Sequence, residues 1–311
     1  MSDFPGPSRR QLLSGLAAVA LSPAGLRGAV YHPTLAAQTY IWLLEMRARN
    51  KPLAEGLEEA FSTTRRAGFR QVELMSEFLQ PDLRERTVAA LKKHGLEPAI
   101  VYTGGPMHER TAAEETIARV LELGRTAHAA GAHAVNFNPA PKSGDERKSD
   151  AELAVEAESL NELGKELQGA GLRLFCHHHL PEMRENAREW RYQLEHTHPR
   201  LVAFCIDLDW AFRGGQDPLA LVRAAEGRLG SLHIRNSRKG VYLETVDEGD
   251  IHMAPIAAFL RQIQFTGYLV VELVHDKDTQ VTHSLFDNLK HAHFYTQKVF
   301  GSRSGLLQVN M

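Results

Sequence analysis

From Gln38 onward the chain alternates short apolar runs with longer stretches of helical period. The runs are Thr39–Trp42, Gln71–Leu74, Pro98–Tyr102, Ala134–Phe137, Leu172–Cys176, Leu201–Ile206, Ser231–Ile234 and Tyr268–Glu272, eight in all. Short apolar runs of this length read as buried strands. Between them Leu153, Ala157, Leu160, Leu163 and Leu167 recur at spacings of three and four, as do Ile256, Phe259, Leu260 and Ile263, so each intervening helix carries one apolar face. Gly68, Gly95, Gly131, Gly171 and Gly267 stand where those helices should end, and glycine tolerates the left-handed turn expected there. Strands alternating with helices predict a parallel sheet with right-handed crossovers. No Gly-x-Gly-x-x-Gly follows the first run, which argues against an open dinucleotide-binding sheet. The expected fold is therefore α/β, a single (β/α)8 TIM barrel over residues 38–311 with Asp278–Val299 as its closing helix.

Residues 1–37 stand outside this pattern. Ser8-Arg9-Arg10-Gln11-Leu12-Leu13 leads into an uncharged stretch, Leu12–Leu21, giving the order of an export signal: basic end, weakly apolar middle, polar flank. The apolar stretch is too short to span a bilayer, so no membrane anchor is expected. The paired arginines resemble a twin-arginine signal, which implies export by the twin-arginine machinery and a periplasmic location. Apolar residues at 43% and charged residues at 24% describe an ordinary globular chain. Thirty-six basic against 38 acidic residues leave a net charge of −2, which gives no basic field for nucleic acid or anionic lipid. Two cysteines cannot form a disulfide scaffold, and Cys176 and Cys205 have opposite strand parity, so they should face different layers. Oligomeric state is left open.

Active sites of such barrels lie at the C-terminal ends of the strands. Those ends carry Glu73, the run His177-His178-His179, Asp207 with Asp209, His233 and Glu272. Buried charge is expensive unless paired or bound to metal. His177, Asp207, His233 and Glu272 supply two imidazoles and two carboxylates, a donor set suited to one divalent ion: Mn2+ first, Zn2+ second, with Fe2+ and Co2+ also compatible. His179 shares parity with His177 and is the candidate acid/base, while His178 should point to the outer layer. Glu73, Arg235, Trp210, His108, Glu182 and Trp42 are candidates for contact with substrate. The charged run Arg184–Glu189 reads as a solvated helix face.

Several segments together carry a resemblance: Ala67-Gly68-Phe69-Arg70-Gln71-Val72-Glu73-Leu74, Gly171–His179, Phe204-Cys205-Ile206-Asp207, Gly214–Pro218, Ser231–Asn236, Glu248-Gly249-Asp250-Ile251 and Gly267–Glu272. At these residues the chain resembles the sugar phosphate isomerase/epimerase family, the xylose isomerase-like barrels. The resemblance implies metal ligands at His177, Asp207, His233 and Glu272. It also implies proton removal beside a carbonyl through an enediolate, with Glu272 as a base. Epimerases of ketohexoses in that family place a Glu where this chain has His177, so the pair of opposing carboxylate bases is incomplete. Members with His-x-His at this strand end include dehydratases and enzymes of 3-keto sugars. Trp210 replaces a frequent His, and Arg235-Asn236 stands where Lys-Asp is common. The resulting expectation is a divalent-metal-dependent isomerase, epimerase or lyase acting on a keto sugar or polyol derivative, tilted toward elimination as a dehydratase or 3-keto-glycoside lyase. With no Gly-rich phosphate loop, a neutral sugar is the expected substrate. The competing readings are a non-catalytic periplasmic sugar-binding barrel and an AP-endonuclease-like DNA-repair enzyme, the latter opposed by charge and by export.

Overall fold

The computed structural model describes residues 30–144, 146–247 and 249–301. Eight parallel strands close into a barrel: β1 (Thr34–Gln38), β2 (Gln71–Met75), β3 (Glu97–Gly105), β4 (Ala134–Pro139), β5 (Arg173–Cys176), β6 (Val202–Asp207), β7 (Leu229–Ile234) and, after the two-residue ribbon strands β8 (Ser237–Arg238) and β9 (Val241–Tyr242), β10 (Tyr268–Val271). Their order around the barrel is β1-β10-β7-β6-β5-β4-β3-β2. This is the TIM barrel that the alternation of strand and helix predicts.

Helices cover the outside. They include α1 (Tyr40–Ala48), α2 (Leu53–Arg66), α3 (Arg84–His94), α4 (Arg110–Ala129), α5 (Asp150–Gly169), α6 (Leu180–His196), α7 (Leu208–Arg213), α8 (Pro218–Ala224), α9 (Met253–Gln262) and α10 (Leu285–Phe300). No described helix is long and apolar enough to cross a membrane. A large apolar cluster fills the space between strands and helices, with Leu160, Leu163 and Leu167 of α5 and Ile256, Phe259 and Leu260 of α9 in it. A second, smaller cluster lies inside the barrel: Ala36, Ala99, Ile100, Ala134, Phe175, Ala203, Cys205 and Val270. Small side chains dominate there, and Phe175 fits because Gly230 has no Cβ; one built at Gly230 would lie 2.5 Å from the Phe175 ring. Strand alternation then decides the next inward layer. Two places beyond Ala36, Ile100, Ala134, Phe175, Cys205 and Val270 stand Gln38, Tyr102, Asn136, His177, Asp207 and Glu272, all at the C-terminal rim.

Four expectations are corrected. The first strand is Thr34–Gln38, ahead of the expected run Thr39–Trp42, and Tyr40–Trp42 already belong to α1. The bulky run Thr39–Trp42 misled because the true strand, Thr-Leu-Ala-Ala-Gln, owes its small residues to a crowded interior. The closing helix begins at Leu285, where Ser284 caps it by accepting from Asp287 N, and not at Asp278. The run Arg184–Glu189 is not one continuous helix face, since Glu185, Asn186 and Ala187 have left-handed φ of 52°, 59° and 58° and Ala187 is buried. Gly68, Gly95, Gly131 and Gly171 do have positive φ, but Gly267 serves close approach instead: a Cβ there would lie 2.2 Å from Gly230 O. The twin-arginine segment lies outside the described residues. Cys176 belongs to the outer cluster and Cys205 to the inner one, and both thiols are free.

Candidate metal centre

Asp207 and His233 are register partners on neighbouring strands β6 and β7. Glu272 extends β10 through its N–H, which donates to Ile234 O at 3.1 Å, and His177 extends β5 by donating to Phe137 O at 2.8 Å. All four side chains are buried. Asp207, His233 and Glu272 each bring a donor atom within 4.8 Å of the others, a group able to hold a metal ion; His177, Cys205 and His233 form a second such group. His177 Nε2 lies 3.2 Å from His233 Nδ1, and Asp207 Oδ2 lies 3.7 Å from each of these nitrogens. Glu272 Oε2 is 2.7 Å from His233 Nδ1.

The outward partners of the two imidazoles fix which nitrogens face this centre. His233 Nε2 meets Glu73 Oε1 at 2.9 Å, so that nitrogen carries a proton and Nδ1 faces Glu272 and Asp207. His177 Nδ1 meets Asn138 Oδ1 at 3.1 Å, and Asn138 Nδ2 donates to Pro139 O, which orients its amide. His177 Nε2 is thereby left with its lone pair toward Asp207 and His233. An imidazole whose far nitrogen is held by a carboxylate or amide is the usual arrangement of a metal-ligating histidine. Asp207 Oδ2 is buried and accepts no hydrogen bond of good geometry, although Arg235 Nε lies 3.1 Å from it. On these observations the four residues fit a divalent cation.

The electrostatics agree. Burial disfavours charge on His233, yet Cys205, Glu73 and Glu272 around it outweigh that penalty and hold its pKa well above the usual value. Burial also works to raise the pKa of Asp207, but Arg235 and the two imidazoles overcome it and hold the carboxyl well below its usual range. Burial pushes His177 well below 6.5, more than Asp207 pulls it up. Positive charge is thus favoured between His233 and the carboxylates, a place that a proton or a divalent ion could fill.

The remaining predicted residues separate into two groups. His179 lies at the rim, with its Nε2 3.2 Å from Tyr102 OH and its ring edge-on to Trp210 at 5.4 Å. Burial pushes its pKa down to about 4. Trp210 is half-buried under the Arg235 guanidinium at 4.8 Å. His108 follows β3, buried, with Nδ1 unpartnered.

The others depart from expectation. Glu73, a candidate for substrate, lies wholly buried behind His233, and Gln38 and Asn136 donate to it at 2.8 and 3.0 Å. Arg235 is turned onto the carboxylates, with Nε 3.1 Å from Asp207 Oδ2 and Nη1 3.0 Å from Glu272 Oε1. Glu182 accepts from His179 N at 2.7 Å at the start of α6, so it braces the rim from behind. Trp42 sits in the outer layer, its indole donating to Thr64 Oγ1 of α2 at 3.1 Å, and lies away from the barrel interior. Asp209 is held by Arg213 at 2.6 Å and Ser237 at 2.5 Å. His178 Nε2 accepts from Asp207 N at 3.1 Å. Tyr102, Asn136, Asn138 and Gln38 were not singled out from the sequence, although all four share the inward parity of their strands.

A barrel whose eight strands bring histidines and carboxylates to one rim defines a class, and the sequence comparison places the chain in it: residues 61–292 match the family described as xylose isomerase-like TIM barrel, and the chain belongs to that family. Among its relatives, the inosose dehydratase of Geobacillus kaustophilus is 26% identical over 234 residues, covering 65% of this chain and 74% of that protein. The solved structure of an L-ribulose 3-epimerase aligns over 90% of this chain and 98% of its own, with TM-score 0.71 and 17% identity. That of a 3-keto-D-glucoside 4-epimerase from E. coli aligns over 86% and 99%, with TM-score 0.65 and 14% identity. These two share the fold.

Proposed function

We propose that the protein is a divalent-metal-dependent enzyme of neutral keto sugars or keto polyols, acting as a dehydratase. The observation that carries this reading is the convergence of Asp207, His233 and Glu272, with His177 Nε2 3.2 Å from His233 Nδ1 and both imidazoles oriented by outer partners. The inosose dehydratase relative supports elimination as the outcome. A divalent cation held by these four residues would polarise the substrate carbonyl and stabilise negative charge developing on its oxygen. Glu272, at the centre's rim, is placed to take the proton from the carbon beside that carbonyl. His179, kept neutral by burial and 3.2 Å from Tyr102 OH, is placed to relay the proton that Glu272 takes from carbon to the departing hydroxyl, which leaves as water. Trp210, half-buried and edge-to-face with Tyr242 at 6.5 Å, flanks the centre and is placed to contact a sugar ring. A neutral substrate suits the site because Arg235 and Arg213, the guanidinium groups at this wall, are already paired with Asp207, Glu272 and Asp209.

Mn2+ is the proposed ion, and export through the twin-arginine signal in residues 1–37 the proposed route to the periplasm. The test is incubation of the Mn2+-loaded protein with an inosose, a 3-keto glucoside and a ketohexose in deuterated water. The reading expects deuterium exchange beside the carbonyl and loss of water from at least one of them. Epimerisation with exchange would keep the centre and change the outcome assigned to it. Tight sugar binding with no exchange would favour a binding protein instead.

A further inference from the structure

Arg235 reaches the centre from just beyond β7 and is 4% exposed. Its guanidinium is clamped in place: Trp210 lies at 4.8 Å, Tyr242 at 4.9 Å, and Nη2 donates to Tyr242 OH at 3.3 Å. The remaining edge spans two carboxylates. Nη1 takes Glu272 Oε1 at 3.0 Å, and Nε takes Asp207 Oδ1 at 3.3 Å while lying 3.1 Å from Oδ2. The oxygens left facing the imidazoles are Glu272 Oε2 and Asp207 Oδ2. A fixed unit positive charge therefore shares the same two acids that would hold the metal.

We propose that Arg235 is a resident counter-ion of this centre: it keeps Asp207 and Glu272 paired in the metal-free protein, leaves Glu272 Oε2 turned toward the imidazoles for a cation, and lowers the affinity with which a divalent cation binds. This rests on the reading of the four residues as metal ligands. Two buried acids side by side are costly without a cation, so the guanidinium stabilises the empty centre. An incoming divalent ion meets carboxylates whose charge is already partly neutralised, and it is repelled by a like charge a few ångströms away in a medium that screens poorly. The centre is thereby stable when empty and exchangeable when loaded. A lysine at the same place would keep the charge but offer no planar fork to span both acids.

The experiment compares full-length wild type, Arg235→Gln and Arg235→Lys, each freed of metal with chelator and titrated with MnCl2 by calorimetry, with thermal melts before and after. The expected result is that Arg235→Gln binds Mn2+ on the order of tenfold more tightly than wild type, melts lower when metal-free, and gains more in Tm on saturation. Arg235→Lys should fall between. Equal or weaker Mn2+ binding by Arg235→Gln, with wild-type circular dichroism, overturns the proposal. If Arg235→Gln does not fold, Arg235→Lys decides: tighter binding than wild type supports the proposal and equal or weaker binding overturns it. Absence of Mn2+ binding by wild type and every variant removes the metal reading itself, whereas binding by the variants alone supports Arg235 as the occupant of the place. Binding by wild type with unchanged variants removes only the role of Arg235.

Discussion

Glu73 Oε1 lies 2.9 Å from Nε2 of His233, the nitrogen remote from Asp207 and Glu272. The pair fixes the ring tautomer and turns Nδ1 into the centre. Glu73→Gln keeps the size but removes the anion that holds the Nε2 proton. Its Mn2+ affinity should fall about 10–100-fold, the usual cost of losing a carboxylate behind a ligating histidine. Calorimetric titration of the metal-free variant checks this, and unchanged affinity would mean that Glu73 does not orient His233.

His179 has its pKa pushed down to about 4 by burial, so it is neutral over the physiological range. Any limb it imposes on kcat should fall near pH 4, well below the ordinary histidine value. His179→Ala should lower kcat by about 10²–10⁴-fold. A rate profile from pH 3.5 to 8 on wild type and variant tests both statements; a limb near pH 6.5 that disappears in the variant would contradict them.

Burial raises the Glu182 carboxyl to about 7 from 4.5, against the pull of Lys148 and its hydrogen bond from His179 N. A raised folded pKa means the folded chain holds the proton that the unfolded chain releases. The stabilisation is complete below pH 4.5 and is lost as pH rises through 7, by roughly 3 kcal/mol in all. Glu182→Gln should flatten this part of the stability curve. Urea unfolding at pH 4.5, 6 and 8 measures it, and parallel curves for variant and wild type would refute the assignment.

Much of this was legible along the chain, for definite reasons. Strand alternation and the rule that barrel sites sit at strand ends pick out His177, Asp207, His233 and Glu272 without coordinates. What each side chain touches across the barrel was not legible. Glu73 meets His233 because Gln38 of β1 and Asn136 of β4 fill the remaining space around it, a contact set by barrel closure. Arg235 and Tyr242 lie close in sequence, but the fork onto Asp207 and Glu272 depends on strands from distant parts of the chain. Trp42 was misplaced because the first strand is poor in bulky residues and the first helix is rich in them.

Trp42 also gives a control. Its ring is 2% exposed between α1 and α2 and plays no part at the rim. Trp42→Ala should lower stability by about 3–5 kcal/mol while leaving KM and kcat of the folded fraction unchanged. A selective rise in KM without loss of stability would return it to the substrate pocket.

The central claim is that two imidazoles and two carboxylates hold one divalent cation, and metal content measured on chelator-free protein tests it most directly. Wild type should carry one Mn2+ or equivalent ion per chain, and His233→Ala, with its circular dichroism intact, should carry none and be inactive. Retention of full metal stoichiometry by His233→Ala would contradict the account.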